Sequence, residues 1–319
     1  LEKIFITGVS GYIGQKLLAF LDGKPGVKQI VGIDIREPSV RPGNFVFYRK
    51  DVREPLDDIL SKHAIDALVH LAYVVPPLHD RRLMEDINTG GTKNVLASCL
   101  KAGVKQIVYT SSATAYGFHA DNDNPLTEDS PLRGNGDFVY SKTKKEIEGI
   151  FSGFMRDNPD YKVAILRPSF VAGPVFDNPP ARHMQKRLVL LPSVTQPFQY
   201  VHEDDMVEIV YLMLQRRVSG VFNVGADGSM TFPEMIKLLR NSGLFLPFDI
   251  MCALNNLAWY LRLTSISEFP SPALNMVRYP WIVSSEKLKR VLGYRYKYTT
   301  HETFMDFAQA FKERRIKTG

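Results

Sequence analysis

The first half of the chain repeats one texture, and that texture narrows the fold more than any other feature: short runs that are apolar almost throughout, each followed by a stretch with helical spacing. Lys3 to Thr7, Gln29 to Asp34, Asn44 to Tyr48, Ala67 to Leu71, Gln106 to Ser111 and Val163 to Leu166 read as strands. Tyr12 to Leu21, Pro55 to Lys62, Met84 to Ala102 and Phe138 to Asp157 read as helices between them. A strand with one wet face alternates apolar and polar residues; these do not, so both faces must be covered. Strands of that kind alternating with helices predict an α/β fold built on a doubly wound parallel sheet. After Arg167 the texture changes, with Pro168, Pro174, Pro179, Pro180, Pro192 and Pro197 crowding one segment. The sheet pattern resumes in Phe198 to Val201, the helix Glu203 to Gln215 and Val221 to Val224. The expected division is therefore a sheet domain of residues 1–167 with 198–225, and a smaller C-terminal lobe of residues 168–197 with 226–319.

Composition excludes several classes. Of 319 residues 45% are hydrophobic and 23% charged, which suits a globular core and not a disordered chain. The net charge of +6 is carried by cations scattered in pairs such as Arg81-Arg82 and Arg216-Arg217, with acidic stretches between them, so no nucleic-acid partner is expected. The most apolar segment, Leu244 to Leu263, is interrupted by Pro247, Asp249, Asn255, Asn256 and Arg262. It fails as a transmembrane span but is left open as a segment lying on a membrane surface. The two cysteines, Cys99 and Cys252, sit in apolar helical runs as free buried thiols. With no basic leader at the N-terminus, a reducing cytoplasmic location is expected, and no metal site is.

Thr7-Gly8-Val9-Ser10-Gly11-Tyr12-Ile13-Gly14 joins the first strand to the first helix. In such a turn Gly8 makes the tight bend, Gly11 lets backbone approach a pyrophosphate, and Gly14 lets the helix sit close on the strand. The helix start, at Tyr12 and Ile13, then offers amides and a partial positive charge to the phosphates. Asp34 ends the second strand 20 residues after Gly14, where a carboxylate accepts hydrogen bonds from a ribose diol and repels a ribose 2′-phosphate. The expected cofactor is NAD, with NADP disfavoured, although Arg36 is placed to pair with a phosphate. Asp51 and Val52 after the third strand are candidates at the adenine. His70, Leu71 and Ala72 after the fourth are candidates along the pyrophosphate.

Tyr140 and Lys144 are one helical turn apart, so both side chains leave one face. An ammonium beside a phenol stabilises the phenolate, which makes Tyr140 a base for a substrate hydroxyl while hydride leaves for the cofactor. Ser112 lies at the end of the fifth strand, the carboxyl edge where ligands bind in such sheets, and donates to the same substrate oxygen.

These residues together resemble an extended short-chain dehydrogenase/reductase of the NAD-dependent epimerase/dehydratase family, with a Rossmann-like sheet, over nearly the whole chain. The matching segments are Thr7 to Gly14, Asp34, His70 to Ala72, Asn88 to Leu96, Ser111 to Gly117, Tyr140 to Lys144, Leu166 to Pro168 and Tyr200 to Asp205. The resemblance implies Ser112, Tyr140 and Lys144 as the catalytic triad, with Asn88 supporting it from the central helix and Arg167 counted with the cofactor residues. It implies Ser112, Ala113, Tyr140, Phe170 and Arg182 at a small-molecule substrate, a C-terminal lobe that closes over it, and a homodimer formed through Met84 to Ala102 and Phe138 to Asp157.

The family pattern also has gaps here. Nucleotide-sugar members carry asparagine after R-x-F and arginine before the F-V-H-x-D-D strand; this chain has no such asparagine after Arg167-Pro168-Ser169-Phe170 and places Phe198 at the second position. Arg182, His183, Lys186 and Arg187 stand either as replacements for these phosphate partners or as a solvated helix face. The L-R-P-S-x-V-x-G-P form at Leu166 to Pro174 is closer to branches that act on steroid-like alcohols and ketones. Phe245, Phe248, Met251, Trp259, Tyr260 and Phe269 are either an apolar pocket or core. Sugar dehydratases carry an acidic pair after the active Ser or Thr, where this chain has Ala113 and Thr114, so elimination of water is not expected. Three readings follow: a sugar or nucleotide-sugar epimerase, favoured on the breadth of the family; a dehydrogenase or reductase of a small hydroxy or keto compound; and a cofactor-sensing protein without turnover, disfavoured by the intact triad.

Overall fold

The computed structural model describes residues 1–75, 80–264 and 266–318. In chain order its strands are β1 (Lys3–Thr7), β2 (Gln29–Asp34), β3 (Phe45–Arg49), β4 (Ala67–His70), β5 (Gln106–Thr110), β6 (Lys162–Pro168), β7 (Phe170–Ala172), β8 (Leu188–Pro192), β9 (Tyr200–His202), β10 (Gly220–Val224) and β11 (Ser242–Leu246). The helices are α1 (Tyr12–Leu21), α2 (Asp57–His63), α3 (Arg81–Glu85), α4 (Gly91–Ala102), α5 (Val139–Asp157), α6 (Pro179–Met184), α7 (Glu203–Gln215), α8 (Phe232–Leu239), α9 (Phe248–Tyr260), α10 (Asn275–Arg278), α11 (Glu286–Leu292) and α12 (Thr300–Thr318).

Seven strands form one sheet in the order β10-β6-β5-β4-β1-β2-β3, with parallel pairing from β6 through to β3. The uniform apolarity of the strands has the expected cause: Ile4, Phe5 and Ile6 on β1, and Ala67, Leu68 and Val69 on β4, are all fully buried. On one face Phe5, Val31, Leu68 and Ile107 pack with Val95 of α4 and with Ile147 and Phe151 of α5. Strand order reverses between β1 and β4, and at such a point the loops after the two strands part and open a crevice at their carboxyl ends.

The helix expected from Met84 to Ala102 is broken into α3, a π-helical turn at Asp86–Gly90, and α4. Such turns concentrate at functional sites, and this one carries Asn88. Gly91 follows it because a Cβ there would stand 2.5 Å from Val52 Cγ1, so the helix can approach that loop only without a side chain.

By internal contacts the chain divides into two compact units, residues 1–112, 143–167 and 203–222, and residues 113–142, 168–202 and 223–319. This differs from the expected boundaries chiefly in residues 113–142. That segment pairs by backbone with a distant stretch of the second unit: Leu126 N donates to the Ile282 carbonyl and Ser284 N to the Leu126 carbonyl, both at 2.8 Å. The Tyr116 hydroxyl adds to this, 2.8 Å from both the Thr127 carbonyl and Asn223 Oδ1.

The second unit holds two small parallel pairs, β7 with β9 and β8 with β11. Its core is aromatic. Phe198 stacks on Phe170 at 5.3 Å and meets Trp281 edge-on at 5.4 Å. Met251 and Phe269 line a cavity of about 50 Å³ in this core, whereas a small-molecule pocket occupies roughly 300–1,000 Å³. Phe245 and Tyr260, weighed above as pocket residues, are exposed instead.

Candidate active site

The glycine turn is held by contacts that only glycine permits. Gly8 has φ +71°, and a Cβ there would stand 2.6 Å from Ala72 N; at Gly14 it would stand 2.3 Å from the Gly8 carbonyl oxygen. Gly11 differs, since a Cβ there would meet only the Gly8 oxygen at 3.2 Å, so its other side is open to an approaching group. Helix α1 starts without a side-chain cap and without an acidic residue in its first turn, so no carboxylate there offsets the positive end of its dipole. The Tyr12 side chain is engaged elsewhere: its hydroxyl donates to Glu203, which with Asp204 also holds Lys16.

Asp34 is tied to this turn, accepting from Ser10 N at 3.1 Å and from Arg36 N at 3.2 Å. A carboxylate has about four acceptor positions, so capacity for a diol remains. These features fit NAD: an open glycine face, an uncompensated helix dipole and a partly satisfied carboxylate stand along one edge of the sheet.

The neighbouring candidates divide. Leu71 N and Ala72 N donate to Thr7 Oγ1, each at 3.2 Å, which fixes the loop after β4 against the glycine turn. His70, fully buried, lies between Thr7 Oγ1 (2.7 Å) and Thr92 Oγ1 (3.0 Å). Burial, and then the charge of Lys144, push its imidazole down to about 3, so it stays neutral. Asp51 is occupied by Arg53, whose guanidinium and backbone hold the carboxyl below its ordinary range. Val52 packs on Gly91. Both of these expected adenine residues thus have local structural partners.

Lys144 is the electrostatic centre of the site. It is 3% exposed, and its Nζ donates to the Thr110 carbonyl at 3.0 Å, lies 3.2 Å from the Tyr109 hydroxyl and sits 3.9 Å above the Tyr73 ring. Burial pulls it down to about 7, against the opposing charge of Glu148. Tyr140, half-buried, lies one turn earlier on α5. Ser141 Oγ, next to Tyr140, donates to the Thr114 carbonyl at 2.7 Å and fastens the first turn of α5 to the turn Ala113–Tyr116, which follows Ser112 directly. Ser112 itself is buried at the carboxyl end of β5.

Two site residues escaped the sequence reading because their partners are remote in the chain. Glu148, 1% exposed, receives the Arg167 guanidinium through Nε at 3.0 Å and Nη2 at 2.6 Å, and the Ser111 hydroxyl at 2.5 Å. Arg167, expected beside the cofactor, forms a buried strut that neutralises Glu148 and joins β6 to α5. A signal existed: Tyr140, Lys144 and Glu148 are spaced i, i+4, i+8 along one helix face. Tyr109 likewise stands two residues before Ser111, the spacing of one face of an extended chain. Asn88 supports the loop after β4, since its Oδ1 accepts from Val74 N at 2.8 Å, and its buried Nδ2 has no partner among the described residues. A buried amide donor of this kind needs an acceptor from water or ligand. Phe170 belongs to the aromatic core of the second unit. Arg182, expected at the substrate, is paired with Glu268 at 2.5 Å and Asp177 at 2.8 Å, which raise its guanidinium further above its ordinary value.

A family model for the NAD dependent epimerase/dehydratase family matches residues 4–225. Among curated proteins, an uncharacterised protein of Mycobacterium tuberculosis is 27% identical over 317 residues, covering 96% of this chain and 83% of that one. UDP-glucose 4-epimerase 2 of Oryza sativa subsp. japonica is 31% identical over 188 residues, 52% of this chain and 44% of the rice protein. A solved UDP-glucose 4-epimerase of Thermotoga maritima superposes with a TM-score of 0.77 at 21% identity, covering 98% of this chain and 99% of that one. A dTDP-glucose 4,6-dehydratase of Bacillus anthracis in complex with NAD gives 0.76 at 17% identity, covering 98% and 97%. At these identities the two superpositions establish the fold, while the match over residues 4–225 establishes the lineage. With the glycine turn, Asp34 and the Tyr140/Lys144 helix in place, this chain belongs to the NAD-dependent epimerase/dehydratase family of extended short-chain dehydrogenases/reductases, and it is an enzyme that uses NAD.

Proposed function

We propose that the enzyme inverts a hydroxyl-bearing carbon of a sugar or nucleotide sugar by transient oxidation. The observation that carries this reading is the composition of the site. A phenol, Tyr140, stands one helical turn from the buried Lys144, with Ser112 at the adjoining strand end, while Ala113 and Thr114 occupy the places where elimination needs an acid and a base. The UDP-glucose 4-epimerases among the relatives support the same substrate class.

Tyr140 takes the proton of the substrate hydroxyl, and Ser112 donates to the same oxygen. Lys144 lowers the cost of the phenolate by its charge and, with a pKa near 7, changes protonation state in the working range. NAD, when bound, would supply the hydride acceptor and donor. When the ketone presents its other face, Tyr140 gives the proton back, so the reaction closes with no net redox change. The protein is expected to act as a homodimer through α4 and α5 in the cytoplasm, with light scattering as the test of the assembly.

A second reading has its own observation. Phe198, where nucleotide-sugar members carry arginine, is 4% exposed and stacked in the aromatic core, and the Ser169 hydroxyl is buried with no partner among the described residues. Neither offers a charge to a pyrophosphate, which favours net oxidation of an uncharged hydroxy compound.

Incubating the purified protein and NAD with UDP-glucose, UDP-galactose, free sugars and steroid alcohols separates the two. A sugar isomer formed with no net NADH absorbance supports the epimerase; stoichiometric NADH with any alcohol overturns it in favour of the second reading. Tyr140→Phe should lower turnover by about 10²–10⁴-fold while leaving the melting temperature unchanged.

A further inference from the structure

Helix α9 presents an apolar face to water. Ile250, Leu254, Leu257 and Leu261 recur at i, i+4, i+7 and i+11 and are 51%, 50%, 57% and 54% exposed, with Tyr260 beside them at 81%. The opposite face is the one that packs: Met251 and Ala258 are buried, and the Asn255 amide donates to the Phe269 carbonyl at 3.0 Å and the Ser271 hydroxyl at 3.1 Å. The orientation is thus fixed from both sides. Leu263 and Ile266 continue the exposed surface beyond the helix. A run of large apolar side chains this exposed marks an interaction surface.

The charged residues nearest this segment in the chain are mostly cations. Over Lys237 to Thr264 the charged residues are Lys237, Arg240 and Arg262 against Asp249, all exposed. Arg187, also exposed, is held beside them through its carbonyl, which accepts from Ser242 N at 2.9 Å. An anionic lipid surface meets them with opposite charge and covers the apolar stripe at once. Among the described residues no helix is long and apolar enough to cross a membrane, so contact of this kind is interfacial.

We propose that α9, with Leu263 and Ile266, docks the protein on anionic phospholipid bilayers, Tyr260 lying at the headgroup level and Arg240 and Arg262 on lipid phosphates. The test is flotation of the full chain with vesicles of phosphatidylcholine alone and of phosphatidylcholine with phosphatidylserine, at low and high salt. The expected result is partition onto the phosphatidylserine vesicles that weakens with salt and falls at least tenfold in Leu254→Asp/Leu257→Asp. Both positions face water, so the melting temperature of that variant should match wild type. Arg240→Glu/Arg262→Glu should lose the preference for phosphatidylserine. Failure to partition, or partition unchanged by the leucine variant, overturns the proposal. So does light scattering that shows a dimer in solution which the leucine variant converts to monomer, for then a second copy is the occupant.

Discussion

Lys144→Met is the perturbation that reads the buried site most directly. The lysine is 3% exposed and sits at about 7 instead of its ordinary 10.5, an interval worth about 5 kcal/mol at about 1.4 kcal/mol per pH unit. Its folded pKa lies below its unfolded one, so between about pH 7 and 10.5 the unfolded chain binds more protons than the native one. Wild-type stability therefore gains from this group as pH rises through that window. Methionine carries no proton and loses the dependence. The stability of the variant relative to wild type should thus be greater at pH 6.5 than at pH 9.5 by roughly 3 kcal/mol. The lost donation to the Thr110 carbonyl shifts both ends of the comparison equally. His70 does not intrude, because its lowered pKa acts between about 3 and its ordinary 6.5, where falling pH removes stability. Urea unfolding of both proteins at the two pH values measures the quantity. An unfolding difference that is the same at both would refute the argument, since it would mean that Lys144 enters the fold with its solution pKa.

Three further outcomes follow from the geometry. Arg167→Met should cost about 3–5 kcal/mol by leaving Glu148 buried and uncompensated, and Glu148→Met added to it should recover part of that loss in the same urea experiment. Gly14→Ala places a Cβ 2.3 Å from the Gly8 carbonyl oxygen and 2.7 Å from that of Val9; it should weaken NAD binding by calorimetry and lower the melting temperature. Asp34→Asn removes the charge that repels a 2′-phosphate, so the ratio of NADP to NAD affinity should rise at least tenfold with little change in stability, and an unchanged ratio would show that Asp34 does not face the ribose.

The strands and the cofactor turn were legible in the sequence because their signals are local. Continuous apolar runs mean burial on both faces wherever they occur, and the bounds expected for β1, β2, α1 and α7 are those observed. The spacing of Tyr140 and Lys144 is likewise a property of one helix. The membership of residues 113–142 was not legible, because it rests on backbone pairing with Ile282 and Ser284, more than 150 positions along the chain. A strand bridge of that separation leaves no periodic trace.

Sequence alone determined the architecture, the family and the cofactor, and it singled out Ser112, Tyr140 and Lys144 as the proposed triad, since glycine spacing, apolar periodicity and helical phase act over a few residues. Tertiary structure decided what each charge does. It paired Arg167 with Glu148 and Arg182 with Glu268, brought Lys144 near neutrality and turned the apolar side of α9 outward. Burial and ion pairing set those outcomes. Both depend on which distant groups share a low-dielectric volume, and only the folded chain specifies that.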